Sequence, residues 1–287
     1  MEHSTSGHRP RVVTPGATLE KLAGGFEFTE GPTCDPEGNL FFTDQPNNRI
    51  LKWGVDGRLS TFLQPAGRAN GMCFDAAGHL IACADERNEL WSIAPDGTVS
   101  VLAGEYGGKR LNGPNDVWVR PDGGIYFTDP FYKRSWWTHD TMPQDGQHVY
   151  FLSADRRQFV RVIDNLVKPN GIIGTPDGKM LYVTDIEAGK TYRYNIAPDG
   201  SLAGQTLAVD QGSDGMTLDD EGNLYLTGEG VSVFDQAGGH IERILVPDEP
   251  WTANVSFGGK GRRMLFITAS TGLYAVATRV TGANVSK

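Results

Sequence analysis

The sequence predicts an all-β fold, a six-bladed β-propeller with four-stranded blades. Three observations carry the prediction. Six short segments each open on an oxygen-bearing side chain: Glu30-Gly31-Pro32, Asn70-Gly71-Met72, Asn115-Asp116-Val117, Asn170-Gly171-Ile172, Asp214-Gly215-Met216 and Asn254-Val255-Ser256. Eight residues after each opener stands a turn glycine, Gly38, Gly78, Gly123, Gly178 or Gly222; in the sixth segment Arg262 takes that place behind Gly261. Successive turn glycines lie 40, 45, 55 and 44 residues apart, the spacing of four short strands per blade. A two-sheet sandwich or an irregular β domain is the alternative, and neither restarts one motif six times.

Each unit reads in the same order. The polar opener leads a short apolar run, as in residues 71–74 and 116–119. A turn rich in Asp, Pro and Gly follows, where Gly tolerates positive φ and Asp binds its own backbone. Next comes a second apolar strand, at residues 40–43, 80–83, 125–128, 181–184, 224–227 and 265–268. A third strand, such as residues 49–53, 89–93 or 191–194, often ends in another Asp-Gly turn, and a fourth is expected near residues 59–63, 99–102 and 207–209. Residues 19–28 precede the first unit. They are predicted to pair with the last blade and close the ring, which also covers an edge strand.

A single propeller domain is expected over residues 16–287, with flexible tails at 1–15 and 278–287. The longest interval, between Gly123 and Gly178, holds an insertion at residues 130–147 with Tyr132, Trp136, Trp137 and His139. Loops of that length carry function or are disordered, and the three aromatics Tyr132, Trp136 and Trp137 are expected to form a rim or lid over a pocket, with a surface loop docked by its own tryptophans as the alternative. His148 begins the strand after the insertion and is expected to reach the same pocket. The Thr-Asp pairs Thr43-Asp44, Thr128-Asp129 and Thr184-Asp185 are expected to bind turn backbone.

Composition excludes several classes. The 37 glycines and 39% hydrophobic content among 287 residues suit many short strands joined by tight turns. A net charge of −9 without a basic run argues against nucleic acid, whose phosphates need a basic footprint. No apolar stretch approaches the roughly 18 residues that span a bilayer, so no membrane partner is expected. The first dozen residues lack an apolar signal core, which points to the cytoplasm. A chain trimmed of a signal peptide, and so periplasmic, would read the same. Three cysteines, Cys34, Cys73 and Cys83, argue against a disulfide framework. Buried thiols are expected, with a Cys73–Cys83 bridge as the alternative. The oligomeric state stays open.

In a propeller the first strand of each blade runs along the central axis. Six strand starts therefore bring Glu30, Asn70, Asn115, Asn170, Asp214 and Asn254 to one mouth of the channel. Buried carboxylates there repel one another without a counter-ion. All-oxygen ligation with two charges favours one hard divalent cation, Ca²⁺ first, with Mg²⁺, Mn²⁺ or Zn²⁺ as alternatives. The absence of His and Cys from the ring disfavours an ordinary zinc site. The competing reading is that Asn and Asp merely cap strand starts. A cation there polarises a carbonyl and holds water, and a carboxylate takes the water's proton. Asp214 is the better base candidate and Glu30 the better pure ligand; the residues alone leave the two roles open. No Gly-x-Ser-x-Gly elbow supports a covalent serine mechanism.

The chain resembles the senescence marker protein/regucalcin/gluconolactonase family of six-bladed propeller lactonases. The matching pieces are Glu30-Gly31-Pro32, the run from Leu111 to Asp116, Lys168-Pro169-Asn170-Gly171, Ser213-Asp214-Gly215-Met216, and Phe257-Gly258-Gly259 followed by residues 265–268. The resemblance spans about residues 20–276 and is nearest the bacterial gluconolactonases. It implies metal ligation by Glu30, Asn170 and Asp214, with Asn115 acting near the metal or on substrate. It implies Asp214 as general base in hydrolysis of a small sugar lactone. Asn70 and Asn254 are then channel lining or substrate contacts. Family members often hold sugar hydroxyls with an arginine just before the Asn-Asp element. Here Gly113-Pro114 stand there, and the nearest arginine, Arg110, is the expected substitute. A phosphotriesterase or promiscuous esterase on the same metal, or a non-catalytic calcium-binding propeller, are the competing functions.

Overall fold

The β-branched and aromatic runs become strands, and the Asp-Gly turns reverse the chain between them. The computed structural model describes residues 12–283. The strand that precedes the first repeat is β1 (Glu20–Gly24). Blade 1 is β2 (Thr29–Cys34), β3 (Leu40–Asp44), β4 (Arg49–Trp53) and β5 (Leu59–Leu63). Blade 2 is β6 (Ala69–Phe74), β7 (Leu80–Ala84), β8 (Glu89–Ile93) and β9 (Val99–Ala103). A short hairpin follows, β10 (Glu105–Tyr106) and β11 (Lys109–Arg110). Blade 3 is β12 (Val117–Val119), β13 (Ile125–Asp129), β14 (His148–Leu152) and β15 (Phe159–Ile163). Blade 4 is β16 (Pro169–Gly174), β17 (Met180–Asp185), β18 (Lys190–Ile196) and β19 (Leu202–Val209). Blade 5 is β20 (Met216–Leu218), β21 (Leu224–Gly228), β22 (Gly230–Phe234) and β23 (His240–Ile244). Blade 6 is β24 (Thr252–Gly258), β25 (Met264–Ala269) and β26 (Gly272–Ala277), completed by β1.

Each blade is a four-stranded antiparallel sheet, in chain order except where β1 completes blade 6. The ring closes as expected: β1 pairs with β26, with Glu20 opposite Ala275 and Gly24 opposite Gly272. The apolar core is divided among the seams between blades. Phe41 and Ile50 of blade 1 meet Met72, Leu80 and Ile93 of blade 2, and the remaining five seams repeat the pattern. A second strand such as β3, β7 or β13 is covered on both faces and buried along its whole length. That is why these strands read as continuous apolar runs rather than alternating ones. Fourth strands β5 and β9 are largely exposed.

The expected tails differ from the structure where they are described. Val12 is fully buried, and the backbone N–H groups of Val12 and Val13 donate to Glu242 Oε2 at 2.9 and 3.3 Å. Val13 bridges Thr278, Gly282 bridges Asp219, and Val280 and Ala283 are buried. Both ends clasp blades 5 and 6, because the apolar residues there complete the last seams. The rest of both expected tails lies outside the described residues. The three cysteines are unbridged.

Candidate active site

The repeat builds the ring through local backbone irregularity. In blades 1, 2, 4 and 6 the pairing of the first and second strands slips beside the opener: between Glu30 and Thr33, Ala69 and Met72, Pro169 and Ile172, and Thr252 and Asn254. Such bulges re-aim side chains, here toward the axis. Glycine after the opener lets neighbouring first strands approach. A Cβ on Gly31, whose φ is +53°, would collide with the Asn70 carbonyl, and one on Gly171 would lie 2.6 Å from Asp214 O. Second-strand threonines then tie one blade to the next. Thr128 donates Oγ1–H to Asn170 O at 2.7 Å, Thr184 to Ser213 O at 2.8 Å and Thr227 to Ala253 O at 2.8 Å. In blade 2 this place is held by Cys83.

The result is an axial cavity of about 250 Å³ lined by Glu30, Asn70, Asn115, Tyr132, Arg134 and Asp214, with Phe28, Ile186 and Trp251 around its rim. Asp214 is half-buried in the cavity wall. Trp251 donates its Nε1–H to Asp214 Oδ2 at 2.6 Å, and Asn170 donates Nδ2–H to Oδ1 at 2.9 Å. Asn170 also donates to Tyr132 Oη at 2.9 Å. Glu30 Oε2 accepts from Gly31 N at 2.9 Å and from Asn254 Nδ2 at 3.2 Å. Arg134 is aimed by Asp85, whose Oδ2 accepts its Nε–H at 2.7 Å and the Gln45 Nε2–H at 3.0 Å.

Burial dominates the electrostatics. It pushes the Glu30 carboxyl well above its ordinary range, and the nearby Asp214 and Asp116 charges push the same way. Asp214 is pushed up to about 6 by burial, with the Trp251 and Asn170 hydrogen bonds and the Arg134 charge holding it down. Asp116 reaches about 7 through burial, opposed by the backbone N–H groups of Val117 and Ile172. Among the described residues no group of three or more His, Cys, Asp or Glu side chains is arranged to hold a metal ion. The ring offers two carboxylates, Glu30 and Asp214, with amide oxygens beside them. That donor chemistry fits one hard divalent cation, whose charge would offset the repulsion that raises Glu30.

Of the residues singled out in the sequence, Glu30, Asn70, Asn115 and Asp214 line the cavity, and Asn170 bonds to two of its walls. Asn254 stands behind Glu30 and lines the channel below. Three others lie elsewhere. Arg110 is exposed on β11, 3.4 Å from His139 Nδ1, because the β10–β11 hairpin carries it outward. His148 is buried on a third strand, away from the axis, between Asp145 Oδ1 at 2.9 Å and Arg161 Nη1 at 3.0 Å. Trp136 packs under Arg68 and Arg134, 4.6 and 5.6 Å from ring centroid to guanidinium, and supports the insertion. Trp137 pins that insertion by donating Nε1–H to Asp85 O at 2.7 Å.

Arg134 and Trp251 are the site residues that sequence reasoning missed, whereas Tyr132, one of the insertion's three aromatics, does line the cavity. Arg134 shares the insertion with the aromatics that drew attention there. Trp251 precedes the Asn254 opener by three residues, and its exposure, at 36%, is high for a side chain so large. The Thr-Asp pairs behave as expected. Asp44 accepts from Glu27 N and Phe28 N, Asp129 from Asn112 N and Gly113 N, and Asp185 from Val167 N and Lys168 N.

Comparison with known proteins agrees with this geometry. The family described as the SMP-30/Gluconolactonase/LRE-like region matches residues 28–271. The gluconolactonase of Zymomonas mobilis is 32% identical, over 94% of this chain and 83% of its own. A solved gluconolactonase from Xanthomonas campestris superposes with a TM-score of 0.85 at 30% identity, covering 94% of this chain and 95% of that one. A regucalcin from Agrobacterium tumefaciens, a calcium-binding protein, shares the fold with a TM-score of 0.76 at 20% identity, covering 93% and 95%.

Proposed function

The chain belongs to the SMP-30/gluconolactonase/LRE-like family, and we propose that it opens a sugar lactone with a divalent cation, Ca²⁺ first, held by Glu30, Asn170 and Asp214. The observation that carries the proposal is the meeting of two carboxylates, buried Glu30 and half-buried Asp214, and asparagine amides in one axial cavity. When bound, a divalent cation polarises the lactone carbonyl and concentrates negative charge there.

The chain's own residues supply the remainder. Asp214, raised to about 6 by burial, is ionised at neutral pH yet basic enough to take a proton from water. Trp251 and Asn170 fix both of its oxygens, so the base meets a water on the cavity side. The water oxygen bonds to the carbonyl carbon, the ring C–O bond breaks, and the released alkoxide is protonated to a hydroxyl. The product is the open hydroxy acid as its carboxylate, with one net proton released. Arg134, Tyr132 and Asn115 orient the hydroxyls of the substrate, and Arg134 supplies the guanidinium expected from Arg110.

The test follows glucono-1,5-lactone opening by proton release. Chelator-stripped protein is compared with protein given back Ca²⁺, Mg²⁺, Mn²⁺ or Zn²⁺. The expected result is a rate that vanishes on stripping and returns with one ion. In Asp214→Asn the rate falls by about 10²–10⁴-fold with the fold intact. No rate with any ion on any lactone, beside tight Ca²⁺ binding, would favour a binding propeller; turnover confined to organophosphates would favour a phosphotriesterase.

A further inference from the structure

The rim around the axial cavity is uneven. Between second and third strands, blade 3 carries residues 130–147, whereas blade 5 has Glu229 alone and blade 6 only Ser270 and Thr271. Over blade 5 the wall is therefore low, and a second cavity of about 370 Å³ opens there. Its residues include Asp214, Ile186 and Trp251, which also line the axial cavity. The two spaces adjoin at these residues, and the second is a trough. It runs from Asp214 across Gly228 toward Arg243, which donates to Glu229 Oε2 at 3.0 Å. Gln211 and Ser232 add neutral polar groups along the way.

The trough's character selects its occupant. Its far end is an internally paired cation and anion, so a charged substituent has no unmatched partner there. Amide, hydroxyl and glycine backbone groups suit a neutral polyhydroxyl ring. Trp251 forms the shared wall, and its ring is held in place by its bond to Asp214 and by Ser270, which bonds both its N–H and its C=O. A fixed, part-exposed indole is an amphipathic platform for a sugar. Size agrees. The axial cavity alone falls below the about 300–1,000 Å³ usual for larger ligands, while the two together fall within it.

We propose that the trough over blade 5 is a second substrate subsite, and that the preferred substrate is a glycosylated aldonolactone. Its lactone ring sits between Glu30 and Asp214, and its non-reacting sugar lies across Gly228 toward Arg243. The proposal rests on the lactonase reading and deepens it by naming the substrate class. Ser232 and Gln211 are then specificity-determining positions with no part in bond cleavage.

The experiment compares kcat/KM for cellobiono-1,5-lactone and glucono-1,5-lactone on the cation-loaded wild type, on Ser232→Phe and on Gln211→Trp. Thermal melts confirm the fold of each variant. The wild type is expected to favour the disaccharide lactone by about tenfold. Both variants are expected to lose that preference while opening glucono-1,5-lactone at the wild-type rate. A wild type without the preference, a folded variant that keeps it, or an equal loss on both lactones overturns the subsite and leaves the lactonase reading standing. Failure of the wild type to open either lactone overturns both.

Discussion

Replacing Trp251 by Phe isolates the part of the site that would tune Asp214, the proposed base. The substitution keeps an aromatic ring but removes the Nε1–H donated to Asp214 Oδ2 at 2.6 Å. A hydrogen bond to a charged group is worth about 1.5–3 kcal/mol net, and one pKa unit corresponds to about 1.4 kcal/mol. The bond stabilises the ionised form, so its loss raises the Asp214 pKa by about 1–2 units. Asp214 already stands near 6 because of burial. In the cation-free protein at pH 7 its ionised share would fall from about nine-tenths to between about one-half and one-tenth. The assay is the pH profile of kcat/KM for glucono-1,5-lactone with saturating cation. The same cation is supplied to both proteins, so on the proposed reading its field would cancel in the comparison. The acid limb of Trp251→Phe should move up by about 1–2 pH units, with plateau rates above it nearly equal. Coinciding limbs would remove Trp251 as the tuning group. A lowered plateau with an unmoved limb would make it a substrate contact alone.

Further predictions follow from neighbouring contacts. Arg134→Met should raise KM more than it lowers kcat. It should also cost about 3–5 kcal/mol of stability at pH 8, because Asp85 loses its buried partner. Asp85, already raised to about 6 by burial, is protonated at pH 5, so denaturant midpoints there should differ less; equal losses at both pH values would contradict the ion-pair account. Thr128→Val leaves Asn170 O and Asp116 N without their hydroxyl partner, and about 1–3 kcal/mol should appear in urea unfolding; an unchanged midpoint would show that the seam does not depend on it. In chelator the wild type should lose stability as pH rises from about 4 to 7. Asp116 and Asp129 are both pushed up to about 7 by burial. Each therefore binds a proton in the native state that the unfolded chain has released. Stability that rises over this window would refute the assignment.

The fold was legible because its information repeats. An oxygen opener and a turn glycine, six times in register, define strand starts and reversals whatever the packing between them. Even the closing strand followed, since residues 19–28 were left over and the last blade needed a fourth strand. The positions of Glu30, Asn70, Asn115 and Asp214 were legible for the same reason: a place at the start of a first strand is a place at the axis. His148 was misplaced because a third strand lies away from the axis, however polar its first residue. Arg110 was misplaced because sequence nearness to Asn115 says nothing about the hairpin that turns it outward. Arg134 and Trp251 were missed because they come from connections that do not repeat. Their directions depend on distant docking, through Trp137 on Asp85 O and through Ser270 on the Trp251 backbone. That division has a chemical consequence. A near-symmetric ring can hold a spherical cation, but it cannot tell one orientation of a sugar from the five others. Selectivity must come from whatever breaks the symmetry, which here is the high insertion over blade 3, the low rim over blades 5 and 6, and the single tryptophan between Asp214 and the trough.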